Sequence, residues 1–124
     1  MKNIRNLFIA FCYLAICNGV AYLFFAEQSL SLLGGEISGM SLLLMRYYGA
    51  IALGCGSAIW ILRNSKEQLV QRALVIGIFF SMLASTVVGV SASIALQFQN
   101  FDWLFILIDS SLTLWSGYFL FKRN

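Results

Sequence analysis

Arg46 and Asp109 are the two charged side chains that fall well inside apolar stretches of this 124-residue chain. A charge at the centre of a membrane helix costs at least roughly 2.5–3.5 kcal/mol, so such groups usually pair or line a wet cavity. A guanidinium and a carboxylate can form an ion pair, or together hold an ion or a small polar ligand. Asn18, Tyr22, Tyr47, Tyr48 and Thr113 are the polar residues expected beside them. Catalysis needs an acid or base with a nucleophile or metal next to it. One carboxylate and one guanidinium, with Ser and Tyr as neighbours, name no reaction, and a non-enzymatic role is expected. The chain has no His and three Cys, and Cys12, Cys17 and Cys55 contain no Cys-x-x-Cys pair. Metal sites, haem ligation by His and thiol-disulfide relays therefore lose support, and each Cys is expected to serve as a small buried hydrophobe. Gly34-Gly35 is followed by no Lys-Ser/Thr, so no phosphate loop is implied. No cofactor is expected from these residues, and a quinone or a lipid is left open.

These residues must be positioned by membrane helices. The sequence is 60% hydrophobic and 10% charged, outside the balance of a soluble domain. Apolar runs long enough to cross a hydrocarbon core of roughly 30 Å occur four times, at about 7–26, 41–62, 73–96 and 103–121. The expected fold is all-α, a single four-helix membrane bundle. Lys2 and Arg5 before the first run are reminiscent of a signal peptide, but the run is longer than a signal's roughly 7–15 apolar residues. It is read as a mature helix. With no Pro in the chain, four fairly straight helices are expected. Between the first two spans, Leu30, Leu32 and Leu33 precede Gly34-Gly35. Either a short interfacial helix or an extension of the first helix ending at Gly34 fits that segment.

Charge sets the orientation. Seven of the eight basic residues, all but Arg46, lie at the N-terminus, between the second and third spans, or at the C-terminus. The remaining two loops carry Glu27, Glu36 and Asp102 and no basic residue. The positive-inside rule then places both termini in the cytoplasm, and the net charge of +3 reflects topology, with no nucleic acid expected as partner. At 1.5 Å per residue Arg46 lies about 8 Å, Asp109 about 9–10 Å and Asn18 about 12 Å below the outer surface. An ion pair between Arg46 and Asp109 follows, with Tyr22, Tyr47, Tyr48 and Thr113 around it. Three readings stay open: a clasp that fixes helix register, a ligand or ion site, or Arg46 snorkelling alone to the outer headgroups.

Small residues supply a packing code. Gly77, Ser81, Ser85, Gly89 and Ser93 recur every four residues in the third span, and Ala50, Gly54 and Ala58 do so in the second. Such stripes let helix backbones approach closely. A polar pore stripe is the sharper alternative, but a Ser hydroxyl in lipid can return to its own backbone.

The segment Arg46-Tyr-Tyr-Gly49-Ala-Ile-Ala-Leu-Gly54, after the Leu-Ser-Leu-Leu-Gly loop and before Trp60-Ile-Leu-Arg63, resembles small DoxX-like bacterial membrane proteins with four helices. The similarity covers roughly the first half of the chain and the acidic residue of the last span. Better-studied relatives in that broad group are membrane subunits of quinone-dependent oxidoreductase complexes, often with a His in the second helix, where this chain has none. The resemblance implies a bacterial inner-membrane protein. Its expected partners are the bilayer and either further copies of itself or other membrane proteins. The alternative is a small transporter or channel built around Arg46, Asp109 and Asn18.

Overall fold

A computed structural model describes residues 2–32, 37–96 and 100–122. Gly34, Gly35 and Glu36 lie outside the described residues, as does the side chain of Ser93. The fold is all-helical: α1 (Lys2–Phe24), α2 (Ala26–Leu32), α3 (Gly39–Leu62), α4 (Gln68–Leu96) and α5 (Asn100–Phe121). Four of these, α1, α3, α4 and α5, are long and apolar enough to cross a membrane. Their 22 to 29 residues correspond to about 33–44 Å of helix, enough for the hydrocarbon core and part of each interface. Helix is the natural state of such segments, because in lipid each backbone N–H and C=O must find its partner within the segment.

Helix ends follow local polar chemistry more than apolar content. Ser38 caps α3: its hydroxyl accepts the Ser41 N–H at 3.1 Å, and the Ser38 N–H is donated to the Ser41 hydroxyl at 2.9 Å. This reciprocal arrangement satisfies two N–H groups at once, in the manner of a capping box. At the start of α4 the Gln71 amide donates to the Ser65 carbonyl at 2.8 Å, and Glu67 N–H to the Ser65 hydroxyl at 3.3 Å. These contacts carry the helix back to Gln68, ahead of the apolar run that begins near residue 73.

α1 and α2 are separated by a bend at Phe25 that involves no proline. The Ala21 carbonyl accepts both the Phe25 N–H at 2.9 Å and the Ser29 hydroxyl at 3.3 Å. A side chain inserted into the backbone ladder is a recognised cause of a bend. The segment after the first span is thus a separate helix of seven residues, rather than a straight continuation of α1.

The chain divides into two compact units, Phe8–Leu62 and Met1–Leu7 with Arg63–Asn124. In the first, α1 lies against α3 along a seam of very small residues. A Cβ added at Gly49 would stand 2.8 Å from the Leu23 backbone nitrogen and 2.9 Å from the Gly19 carbonyl oxygen; one added at Gly19 would stand 2.9 Å from the Gly49 oxygen. At Gly56 it would meet Ile16 at 3.0 Å and Ala15 at 3.1 Å. The buried Cys12 thiol donates across this seam to the Gly56 carbonyl at 3.3 Å. Backbones this close gain dispersion contacts that larger side chains would prevent.

In the second unit, α4 and α5 pack as a helical pair. Val75, Ile78 and Met82 of α4 and Ile106, Leu112 and Ser116 of α5 are buried. Gly89 leaves room for Ile106, whose Cγ1 would lie 3.0 Å from an added Cβ, and Gly117 leaves room for Phe79 at 3.2 Å. The Phe79 ring also meets Phe121 edge to face, with centroids 6.5 Å apart.

Candidate functional site

The seven residues expected to form a polar cluster are divided between the two units. On α1, Asn18 and Tyr22 are partly buried; on α3, Arg46, Tyr47 and Tyr48 are exposed. Tyr22 and Tyr48 come together, with ring centroids 5.6 Å apart and planes inclined at 46°. Contacts of this kind contribute about 0.5–1.5 kcal/mol beyond area burial. In the other unit Asp109 is partly buried and Thr113 buried.

Thr113 does not turn its hydroxyl proton toward a ligand. Its Oγ1 donates to the Asp109 backbone carbonyl at 2.7 Å. Ser110, Ser111 and Ser116 make the same return to Ile106, Leu107 and Leu112, each at 2.7 Å, and Thr86 of α4 donates to Met82 at 2.8 Å. A hydroxyl that has given its proton to its own helix offers a bound group only lone pairs. The run of hydroxyls on α5 is therefore spent on backbone satisfaction.

Among the described residues, no group of three or more His, Cys, Asp or Glu side chains converges in a way that could hold a metal ion. Cys12 is buried, whereas Cys17 and Cys55 are exposed on their helices. The expectation that all three are buried hydrophobes thus holds for Cys12 alone. Beside Cys12 and Cys17, an open groove of about 540 Å³ runs between α1 and α3. Tyr13 and Trp60 line it and meet edge to face with centroids 6.5 Å apart. Its walls are almost wholly apolar, so it offers shape without directed polar recognition.

No known protein family, curated protein or solved structure matches this chain.

Of the small-residue stripes, α4 leaves Gly77 and Ser81 exposed and Ser85 and Gly89 partly buried. A Cβ at Gly77 would meet nothing within 4 Å. On α3, Ala50, Gly54 and Ala58 are all exposed, and Gly54 likewise faces open space. The glycines that bring α1 and α3 together are Gly19, Gly49 and Gly56, which lie outside the four-residue stripes. Their signal lies in small residues at mixed spacings of three and four, Cys12-Ala15-Gly19 on one helix and Gly49-Ala52-Gly56 on the other.

Proposed function

We propose that the chain is a non-enzymatic multi-pass protein of a bacterial inner membrane, with both termini cytoplasmic, that works as an oligomer or as a subunit of a larger membrane complex. The observation that carries this reading is the uncovered face of α3. Arg46, Ala50, Gly54 and Ala58 follow one another at four-residue intervals, and all four are exposed. Small residues on a membrane helix favour a close-packed neighbour over lipid, since lipid tails and protein side chains are equally apolar and only packing separates them. An exposed guanidinium at the end of the same stripe calls for a counter-charge or for the headgroup region. The resemblance of residues 46–63 to DoxX-like membrane proteins agrees with a subunit role.

The test is Gly54→Leu, measured by light scattering coupled to size exclusion in mild detergent. Because nothing lies within 4 Å of a Cβ at this position, the variant is expected to keep the wild-type thermal midpoint while its assembled species falls to the monomer mass. An assembly that survives Gly54→Leu unchanged would remove this face from the interface. A wild-type chain that is monomeric and purifies without a partner would remove the reading altogether.

The orientation rests on the basic residues, and α2, with Leu30 and Leu32 on a seven-residue helix, fits a position in the outer interface. In a cysteine-free background, Ser65→Cys is expected to react with an impermeant maleimide only from the cytoplasm, and Ser38→Cys only from outside. Labelling of position 38 from the cytoplasm alone would invert the topology.

A further inference from the structure

The unit formed by residues 1–7 and 63–124 contains a cavity of about 400 Å³ at the end where α4 begins and α5 finishes. Its lining is part polar and part apolar. Arg72 of α4 and Lys122, directly after α5, each contribute a cation, with the side-chain amides of Gln68 and Gln71 beside them, and among the described residues no acidic side chain lines it. The rest of the lining is apolar: Ile4, Val75, Phe119 and Leu120. Lys122 also lies over the Tyr118 ring, its nitrogen 4.8 Å from the centroid. A cation–π contact at that distance steadies the ammonium at the helix end without neutralising it.

We propose that this cavity binds the phosphate headgroup of an anionic phospholipid. Arg72 and Lys122 would hold the phosphate oxygens, and the Ile4–Val75–Phe119 wall would take the first part of an acyl chain. The shared chemistry is a phosphate held by two cations and amide donors. The apolar wall selects a lipid over free phosphate, because a soluble anion leaves that wall uncovered. With the orientation proposed above the cavity would face the cytoplasm, and basic pockets between membrane helices on that side suit anionic headgroups. This inference is independent of the assembly proposed above: it concerns α4, α5 and the first turn of α1, and it can fail while the α3 interface stands.

Native mass spectrometry of the full chain in detergent, titrated separately with phosphatidylglycerol, phosphatidylcholine and inorganic phosphate, tests it. Phosphatidylglycerol is expected to bind more tightly than phosphatidylcholine. Loss of either cation should weaken the anionic lipid about fivefold, and loss of both about thirtyfold. R72Q/K122Q should therefore bind the two lipids alike, while the charge-preserving R72K/K122R keeps most of the preference. Lys66→Gln, which removes the same charge outside the cavity, should keep all of it. Each variant's fold is checked by far-ultraviolet circular dichroism, and the two-lipid ratio is internal to each preparation. Equal binding of both lipids by the wild type, or a preference retained by R72Q/K122Q or lost in Lys66→Gln, would overturn the site. Displacement of phosphatidylglycerol by inorganic phosphate at equal concentration would overturn the lipid assignment.

Discussion

Gly49→Ala is expected to separate α1 from α3 at the Gly19–Gly49 end of their seam and to destabilise the unit by about 1–3 kcal/mol or more. The magnitude follows from what the new methyl group meets. Its nearest neighbours would be the Leu23 backbone nitrogen at 2.8 Å and the Gly19 carbonyl oxygen at 2.9 Å, and backbone atoms cannot swing aside as a side-chain tip can. Relief requires the helices to move apart, which forfeits dispersion contacts along the whole seam. Gly19 and Gly49 oppose one another, so the pair Gly19→Ala with Gly49→Ala should cost less than the sum of the two single changes. Gly54→Ala is the control, on the same helix but with open space around it, and should stay within about 0.5 kcal/mol of wild type. Unfolding in a dodecyl sulfate titration, followed by circular dichroism, measures all four. If Gly49→Ala unfolds at the same point as Gly54→Ala, the close approach of α1 and α3 is not a feature of the folded protein.

The contrast between Gly49 and Gly54 also shows what a membrane sequence discloses. The four spans are readable because an apolar run of about 20 residues has few other uses. Their ends are less so: α1 begins at Lys2 and α4 at Gln68, because a helix continues through the interface until its caps stop it, not until its apolar residues do. The bend at Phe25 depends on the Ser29 hydroxyl reaching Ala21, a local choice that neither Pro nor Gly announces. Hydrophobic patterning is nearly blind to which face meets protein, since lipid and protein interior are equally apolar. Only the distribution of small residues speaks to that question, and it speaks in more than one spacing. Within the polar cluster Tyr22 and Tyr48 meet, a pair that depth along the helices did not single out. Depth gave no hint that Thr113 would bond its own helix, because a hydroxyl's partner is decided by rotamer and not by depth.

Asp109→Asn and Arg46→Gln are each expected to destabilise the protein, and together to cost less than their sum. The motive is the depth expected from the sequence: with the orientation that the basic residues predict, both charges would come about 8–10 Å below the outer surface at 1.5 Å per residue, with opposite sign. The pairing we expect is within one chain or between neighbouring copies, and the cycle registers either. Removing one partner of a buried pair leaves an uncompensated charge in low dielectric, which costs about 3–5 kcal/mol in soluble proteins. Replacing both charges with neutral residues of similar size removes that penalty, so part of the stability should return, and the shortfall from additivity measures the coupling. Dilution separates the two geometries. Coupling that persists in the monomer places the pair within one chain, while coupling that disappears as the assembly dissociates places it between chains, where the exposed Arg46 of α3 would reach a neighbour's carboxylate. Strictly additive losses at every concentration would mean that the two groups never meet. The guanidinium would then be left to the outer headgroups, which its own length allows it to reach.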